Sequence, residues 1–191
     1  MKIVCLGDSF TKGFGVDEEK CWASILGRRL SCQVVNKGIN GDTTGGMLAR
    51  FYRDVAEEKP RYVLIDGGFN DLMAGAERGT VQANIMSLVH QAYHYSIVPI
   101  ILSVPGGSPN QFRSHWPAYI DIEQVRNEYF AYRLWLKDFC KGFSVFFIDC
   151  FEVAENRDFV KQKYIDGIHM TPEGHEDVAE YIIKFFKNEV W

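Results

Sequence analysis

Two short segments carry residue types that could do nucleophilic chemistry. Gly7-Asp8-Ser9-Phe10 follows the first apolar run, and Asp166-Gly167-Ile168-His169 precedes the last amphipathic stretch. A serine hydroxyl is a weak nucleophile until a neighbouring base takes its proton. His169 suits that task, and among the five histidines it alone has a carboxylate three positions before it. Asp166 would then hold the imidazole in the right tautomer. Acyl transfer also needs donors aimed at the developing oxyanion. The backbone N–H of Ser9, the backbone N–H of Gly41 and the side-chain amide of Asn70 would supply three. Gly41 suits the role because, without a Cβ, it lets a substrate approach the backbone.

These residues work together only if the fold gathers them. Short β-branched runs at Ile3–Leu6, Cys32–Asn36, Tyr62–Asp66, Val98–Val104 and Ser144–Asp149 read as buried strands. Their near-continuous apolar character is that of parallel strands covered on both faces. Helical segments are expected near Glu19–Leu30, Thr44–Glu57, Val81–His94 and Asp121–Cys140. In the last of these Ile122, Val125, Tyr129, Tyr132 and Leu136 form one face at spacings of three and four. A final helix should start at the N-cap Thr171 with Pro172 in its first turn, and dock Val178, Tyr181, Ile182, Phe185 and Val190 on the sheet. The alternation predicts one α/β domain over residues 1–191, with right-handed crossovers and helices on both sides of a parallel sheet. Ser9, Gly41, Asn70 and His169 all lie beyond carboxyl ends of strands, the edge where open α/β sheets bind ligands.

Composition narrows the function classes. At 191 residues the chain buries roughly 70% of its unfolded surface. A net charge of −4 with no basic stripe argues against nucleic acid as a partner. Ile97–Val104, the longest mostly apolar stretch, contains Pro99 and is far shorter than the ~20 residues that span a bilayer. The apolar start Met1–Leu6 is too short for a secretory signal. Five cysteines without a paired C-x-x-C spacing read as buried reduced thiols, so a cytoplasmic protein is expected. No cofactor and no metal is expected, and the partner is a small-molecule ester substrate. Whether the chain forms a homo-oligomer is left open.

Each motif also has a plainer reading. Asp8-Ser9 alone could be a turn after a strand. Asp42-Thr43-Thr44 is most simply a helix N-cap, and Asp42 is assigned no chemistry. Asn70 could make an Asx turn, with Asp71 capping the next segment. Gly45-Gly46 lacks a following Lys-Ser/Thr, so no phosphate loop is supported. His90 and His94 stand one helical turn apart, but Gln91 occupies the place of a zinc protease glutamate. The long connection at 105–120 is expected to be functional rather than disordered. From it Phe112, His115 and Trp116, together with Asp8 and Phe69, are the candidate substrate-binding residues.

Taken in order, Gly7-Asp8-Ser9-Phe10, Asn36-x-Gly38-x-x-Gly41-Asp42-Thr43, Gly68-x-Asn70-Asp71 and Asp166-x-x-His169 resemble the blocks of the SGNH/GDSL hydrolases. Phe10 stands where leucine is common, and Asn40 where a serine often precedes the glycine. The resemblance implies a three-layer α/β/α, flavodoxin-like fold with strand order 2-1-3-4-5. It also implies a serine esterase or acylhydrolase working through a covalent acyl-enzyme. Carried over by position, Ser9 is the nucleophile, Asp166 and His169 complete a triad, and Ser9, Gly41 and Asn70 form the oxyanion hole. The ester is expected to carry a small or medium acyl group, an O-acetyl group on a carbohydrate among the candidates. The alternatives are a lysophospholipase or acyl-thioesterase with a longer acyl channel and, outside enzymes, a non-catalytic flavodoxin-like binding domain.

Overall fold

The computed structural model describes residues 1–104, 107, 111–112, 117, 120–154 and 163–190. Five parallel strands form the sheet: β1 (Lys2–Gly7), β2 (Gln33–Gly38), β3 (Tyr62–Asp66), β4 (Val98–Ser103) and β5 (Phe146–Asp149). Their spatial order is β2-β1-β3-β4-β5, as the motif blocks imply. The longer helices are α2 (Trp22–Leu30), α3 (Thr44–Phe51), α5 (Arg78–His94), α6 (Ile122–Phe143) and α8 (Pro172–Phe185). Three short ones, α1 (Ser9–Lys12), α4 (Phe69–Met73) and α7 (Phe151–Ala154), follow strands β1, β3 and β5.

The period-two alternation of strand side chains divides the core into two. Val4 and Leu6 of β1, Val63 and Ile65 of β3 and Ile101 of β4 join a cluster with Met47 and Phe51 of α3, Ile85 and Leu88 of α5 and Tyr132 and Leu136 of α6. Ile3, Cys5, Leu64, Ile100 and Leu102, one residue out of phase, face Trp22 and Leu26 of α2 and Val178 and Ile182 of α8. Helices thus cover both faces and give three layers.

Central and edge strands differ more than their composition suggests. Every residue of β3 is buried, whereas β2 is only half-buried or exposed along its length and Phe146 of β5 is exposed. Both are edge strands, with a neighbour on one side only, so the expected cover on both faces is incomplete there. Pro99 is tolerated in β4 because β5 pairing begins one residue later, at Ile100 with Phe146.

Local signals set the helix ends. Thr43 Oγ1 caps α3 by accepting from the Gly46 N–H (3.2 Å), and Thr171 Oγ1 caps α8 by accepting from the Gly174 N–H (3.3 Å). The single helix expected over 44–57 is an α-helix to Phe51 that widens into a π turn over Tyr52–Ala56. Val178 and Ile182 are fully buried as expected, while Tyr181 and Phe185 pack at the margin. Among the described residues no helix is long and apolar enough to cross a membrane.

Candidate active site

The first turn after β1 presents the serine. Asp8 is the N-cap of α1, its Oδ1 accepting from the Phe10 N–H at 2.9 Å, and Ser9 opens the helix. The turn closes at Gly13 after four helical residues, too few to leave a periodic signature in the sequence. Before α8, the turn at 166–169 folds around one carboxylate. Asp166 Oδ1 accepts from the backbone N–H groups of Ile168 (3.0 Å) and His169 (2.9 Å), which leaves Oδ2 aimed at His169 Nδ1, 2.7 Å away. On its other side, His169 Nε2 lies 3.1 Å from Ser9 Oγ. Burial opposes ionisation of Asp166, but the hydrogen bonds from the backbone and imidazole of His169 and from the Ile168 N–H hold its carboxyl below the ordinary value. Ser9, His169 and Asp166 are therefore in hydrogen-bond sequence.

Donors converge on the same place. Asn70, on α4, donates from Nδ2 to the Asp42 carbonyl (2.9 Å) and to Asp8 Oδ2 (3.1 Å). That pair of bonds ties the turn after β3 to the turns after β1 and β2. Gly41 has φ +74°, and a Cβ built on it would meet nothing within 4 Å. The glycine is thus required by a left-handed backbone on an open rim, rather than by close protein packing. Among the described residues, the N–H groups of Ser9 and Gly41 meet no acceptor. Gly68, at φ +108°, starts α4 where a Cβ would lie 2.8 Å from the Tyr132 ring, so its left-handed turn admits nothing larger.

Several supporting residues carry no motif signal. Arg50 is buried and clamps two of the turns, with Nε on Asp42 Oδ2 (2.8 Å), Nη2 on the Gly7 carbonyl (3.0 Å) and Nη1 on Asp54 Oδ2 (2.9 Å). Asp42, assigned no chemistry from the sequence, is thus a junction: its carboxylate holds Arg50 and its carbonyl holds Asn70. Asp71 caps α3 instead of the segment that follows it, accepting from the Thr44 N–H at 3.0 Å and the Thr44 hydroxyl at 2.6 Å. Phe14, half-exposed, lays its ring against His169 at a centroid separation of 4.3 Å. The i,i+4 spacing of Arg50 and Asp54 was the available sign of an ion pair. Nothing in the sequence points from Phe14 to a residue so distant in the chain.

Of the candidate substrate-binding residues, Asp8 and Phe69 line a cavity beside Ser9. Phe112 is instead 2% exposed and belongs to the apolar core cluster that also holds Ile122, Val125 and Tyr129 of α6. His115 and Trp116 lie outside the described residues. His175 is a packed core histidine: its Nδ1 accepts from the Trp22 N–H at 3.4 Å, and burial lowers its pKa to about 4, with His169 adding to the shift.

Two buried carboxyls, Asp8 and Asp66, bond to residues of α1. Burial pushes Asp8 up to about 7; the Phe10 N–H opposes this and the charges of Asp42 and Asp71 add to it. Burial also raises Asp66 well above the carboxylate range, with the charge of Asp8 next, against a 2.9 Å hydrogen bond from the Thr11 hydroxyl. A carboxyl raised in this way binds more protons folded than unfolded between about pH 4 and 7, so stability falls as pH rises through that window. Asp8→Asn removes one such group. Thermal unfolding at pH 5 and pH 8 is expected to show a smaller loss of Tm in the variant than in the wild type. Equal losses would place the pH dependence elsewhere.

Comparison with known proteins identifies the family. A sequence model described as the GDSL-like Lipase/Acylhydrolase family matches residues 5–176. Esterase TesA of Pseudomonas aeruginosa is 37% identical over 95 residues, 47% of this chain and 47% of that protein, so this match spans about half of each. An arylesterase of Vibrio mimicus is 27% identical over 188 residues, 95% of this chain and 86% of that protein. Among solved structures, a protein of Desulfitobacterium hafniense DCB-2 placed in the lipolytic G-D-S-L family superposes with a TM-score of 0.82 at 27% identity, covering 96% of this chain and 98% of that one.

Proposed function

The chain belongs to the GDSL-like lipase/acylhydrolase family, and from that premise we propose that it is a serine esterase whose nucleophile is Ser9. The observation that carries the reading is the continuous relay Ser9 Oγ, His169 Nε2, His169 Nδ1 and Asp166 Oδ2, with separations of 3.1 and 2.7 Å. The family and the esterase names of its relatives make the protein a carboxylic ester hydrolase.

In this mechanism Ser9 Oγ attacks the ester carbonyl carbon while its proton passes to His169 Nε2. The carbonyl oxygen becomes an oxyanion and accepts from the Ser9 N–H, the Gly41 N–H and Asn70 Nδ2. For Asn70 this means exchanging the Asp8 carboxylate for the substrate oxygen as acceptor. Collapse breaks the bond to the alcohol, which leaves with the proton from His169. Water then adds to the acyl-enzyme by the same route, releasing the acid and restoring Ser9. Asp166 keeps Nδ1 protonated and steadies the imidazolium. No step in this sequence calls on a cofactor.

Residues 1–191 are read as one hydrolase domain of this type. A cytoplasmic setting is part of the proposal, supported by the buried, unbridged thiols of Cys5, Cys21 and Cys140. A fluorophosphonate probe tests the central assignment. One covalent adduct is expected, located by peptide mass spectrometry on Ser9. No adduct under forcing conditions would favour a non-catalytic binding domain.

A further inference from the structure

We infer that the site selects an ester with an acetyl- to propanoyl-sized acyl group on a large, uncharged, hydroxylated alcohol, and that Phe69, Met73, Val104, Ile168 and Met170 set the acyl limit. This rests on the acyl-enzyme reading above. Two cavities of very different size meet at the reacting centre, and Asn70 and Met73 line both. The smaller holds about 40 Å³ and contains Ser9 and His169. By the same measure a single water needs about 10–15 Å³, so there is room for roughly three such groups. Its remaining wall is largely apolar, supplied by those five side chains and Phe10.

The wall chemistry says which part of the ester goes where. A sugar hydroxyl in the small cavity would lose water with few partners to gain, because apart from Asp8, Asn70 and the reacting Ser9 and His169 the described side chains that line it are apolar. A short alkyl group suffers no such loss. The larger cavity is a groove of about 1230 Å³ that runs from Gly41 and Asn70 between the α4–α5 turn and the start of α6. Glu77, Arg78, Gln82, Asp121, Gln124 and Glu128 line it. Among the described residues three carboxylates stand there against one guanidinium, and Arg78 is already bonded to Glu128 at 2.6 Å. Such a surface offers many acceptors and amide groups to hydroxyls. It repels a phosphate-bearing leaving group, while Leu72, Ala76, Ile120 and Val125 add apolar area that the ring of a hydroxylated alcohol can cover.

Hydrolysis of p-nitrophenyl acetate, butanoate and octanoate reads the acyl limit. Wild-type kcat/KM is expected to fall at least about tenfold from acetate to octanoate, the scale at which a closed apolar pocket rejects extra methylenes. Met73→Ala removes the wall shared by the two cavities and should raise the octanoate-to-acetate ratio by about tenfold or more. Val104→Ala, also in the pocket wall, provides a second reading of the same ratio. On the alcohol side, an acetylated methyl glucoside should be cleaved and acetyl-coenzyme A should be poor. Octanoate cleaved as well as acetate by the wild type, or a ratio unmoved in both variants, overturns the acyl limit. Acetyl-coenzyme A used as readily as the glucoside ester overturns the alcohol assignment. Failure of the acyl-enzyme reading itself looks different: no ester of any length is cleaved and Ser9 takes up no fluorophosphonate.

Discussion

Ser9→Ala is expected to lower kcat for a good ester by roughly 10⁴–10⁶ and to abolish capture by a fluorophosphonate. The size follows from what the hydroxyl does. Without Oγ there is no acyl-enzyme, and the remaining groups can only assist attack by water. The fold should be untouched, because the Ser9 side chain makes one hydrogen bond, to His169, and the α1 cap is supplied by Asp8. KM should change little, since the apolar walls and the groove remain. The check is kcat and KM on p-nitrophenyl acetate together with thermal unfolding of the same preparation. Turnover within tenfold of wild type, from a folded variant, would remove Ser9 from the mechanism.

Loss of His169 should be as severe, and the two losses should not add. His169→Ala is expected to reduce kcat by roughly 10⁴–10⁶, and Ser9→Ala/His169→Ala to be no worse than either alone, because the pair acts as one unit. Asp166→Asn makes a finer test. Through its oxygen the amide can still accept from both backbone N–H groups of the turn. It can also donate to His169 Nδ1, which would reverse the tautomer and put the proton on the nitrogen that faces Ser9. A fall of about 10⁴ in kcat is expected on that account. Asp166→Ala additionally strips both backbone N–H groups of their acceptor, so it should lower the unfolding temperature as well. An Asp166→Asn variant with near-wild-type kcat would show that the turn alone orients the imidazole. Additive losses in the double variant would contradict a common relay.

The parts of the fold legible in the sequence were those with a long, regular signal. Tyr62–Asp66 emerges with the expected bounds because all five residues are buried and flanked by charged residues and glycines. The capping of α8 was readable from Thr171-Pro172, since cap chemistry acts within one turn. The short helices α1 and α4 were not, for four or five residues cannot display a 3.6-residue period. Their existence changes the site: Ser9 and Asn70 sit in first turns, not in open loops. The exposure of β2 was likewise hidden, because edge or centre is decided by strand order, and the order entered only through the likeness of the motif blocks.

Chain order and residue type by themselves determined which residues are candidates to react. Ser9, Gly41, Asn70, Asp166 and His169 are named by local spacing, and a carboxylate three residues before a histidine already suffices to build the turn that orients it. What only the tertiary structure decided is everything that depends on separation in space. Ser9 and His169 are 160 residues apart in sequence and 3.1 Å apart in the fold, because the parallel strands bring their carboxyl ends to one edge. Arg50 joins Gly7 to Asp42 across that edge, Phe14 covers the imidazole, and Asp8 is buried. Hydrogen bonds, desolvation and cavity volume act over a few ångströms, and a linear sequence records such distances only for residues within a turn of each other.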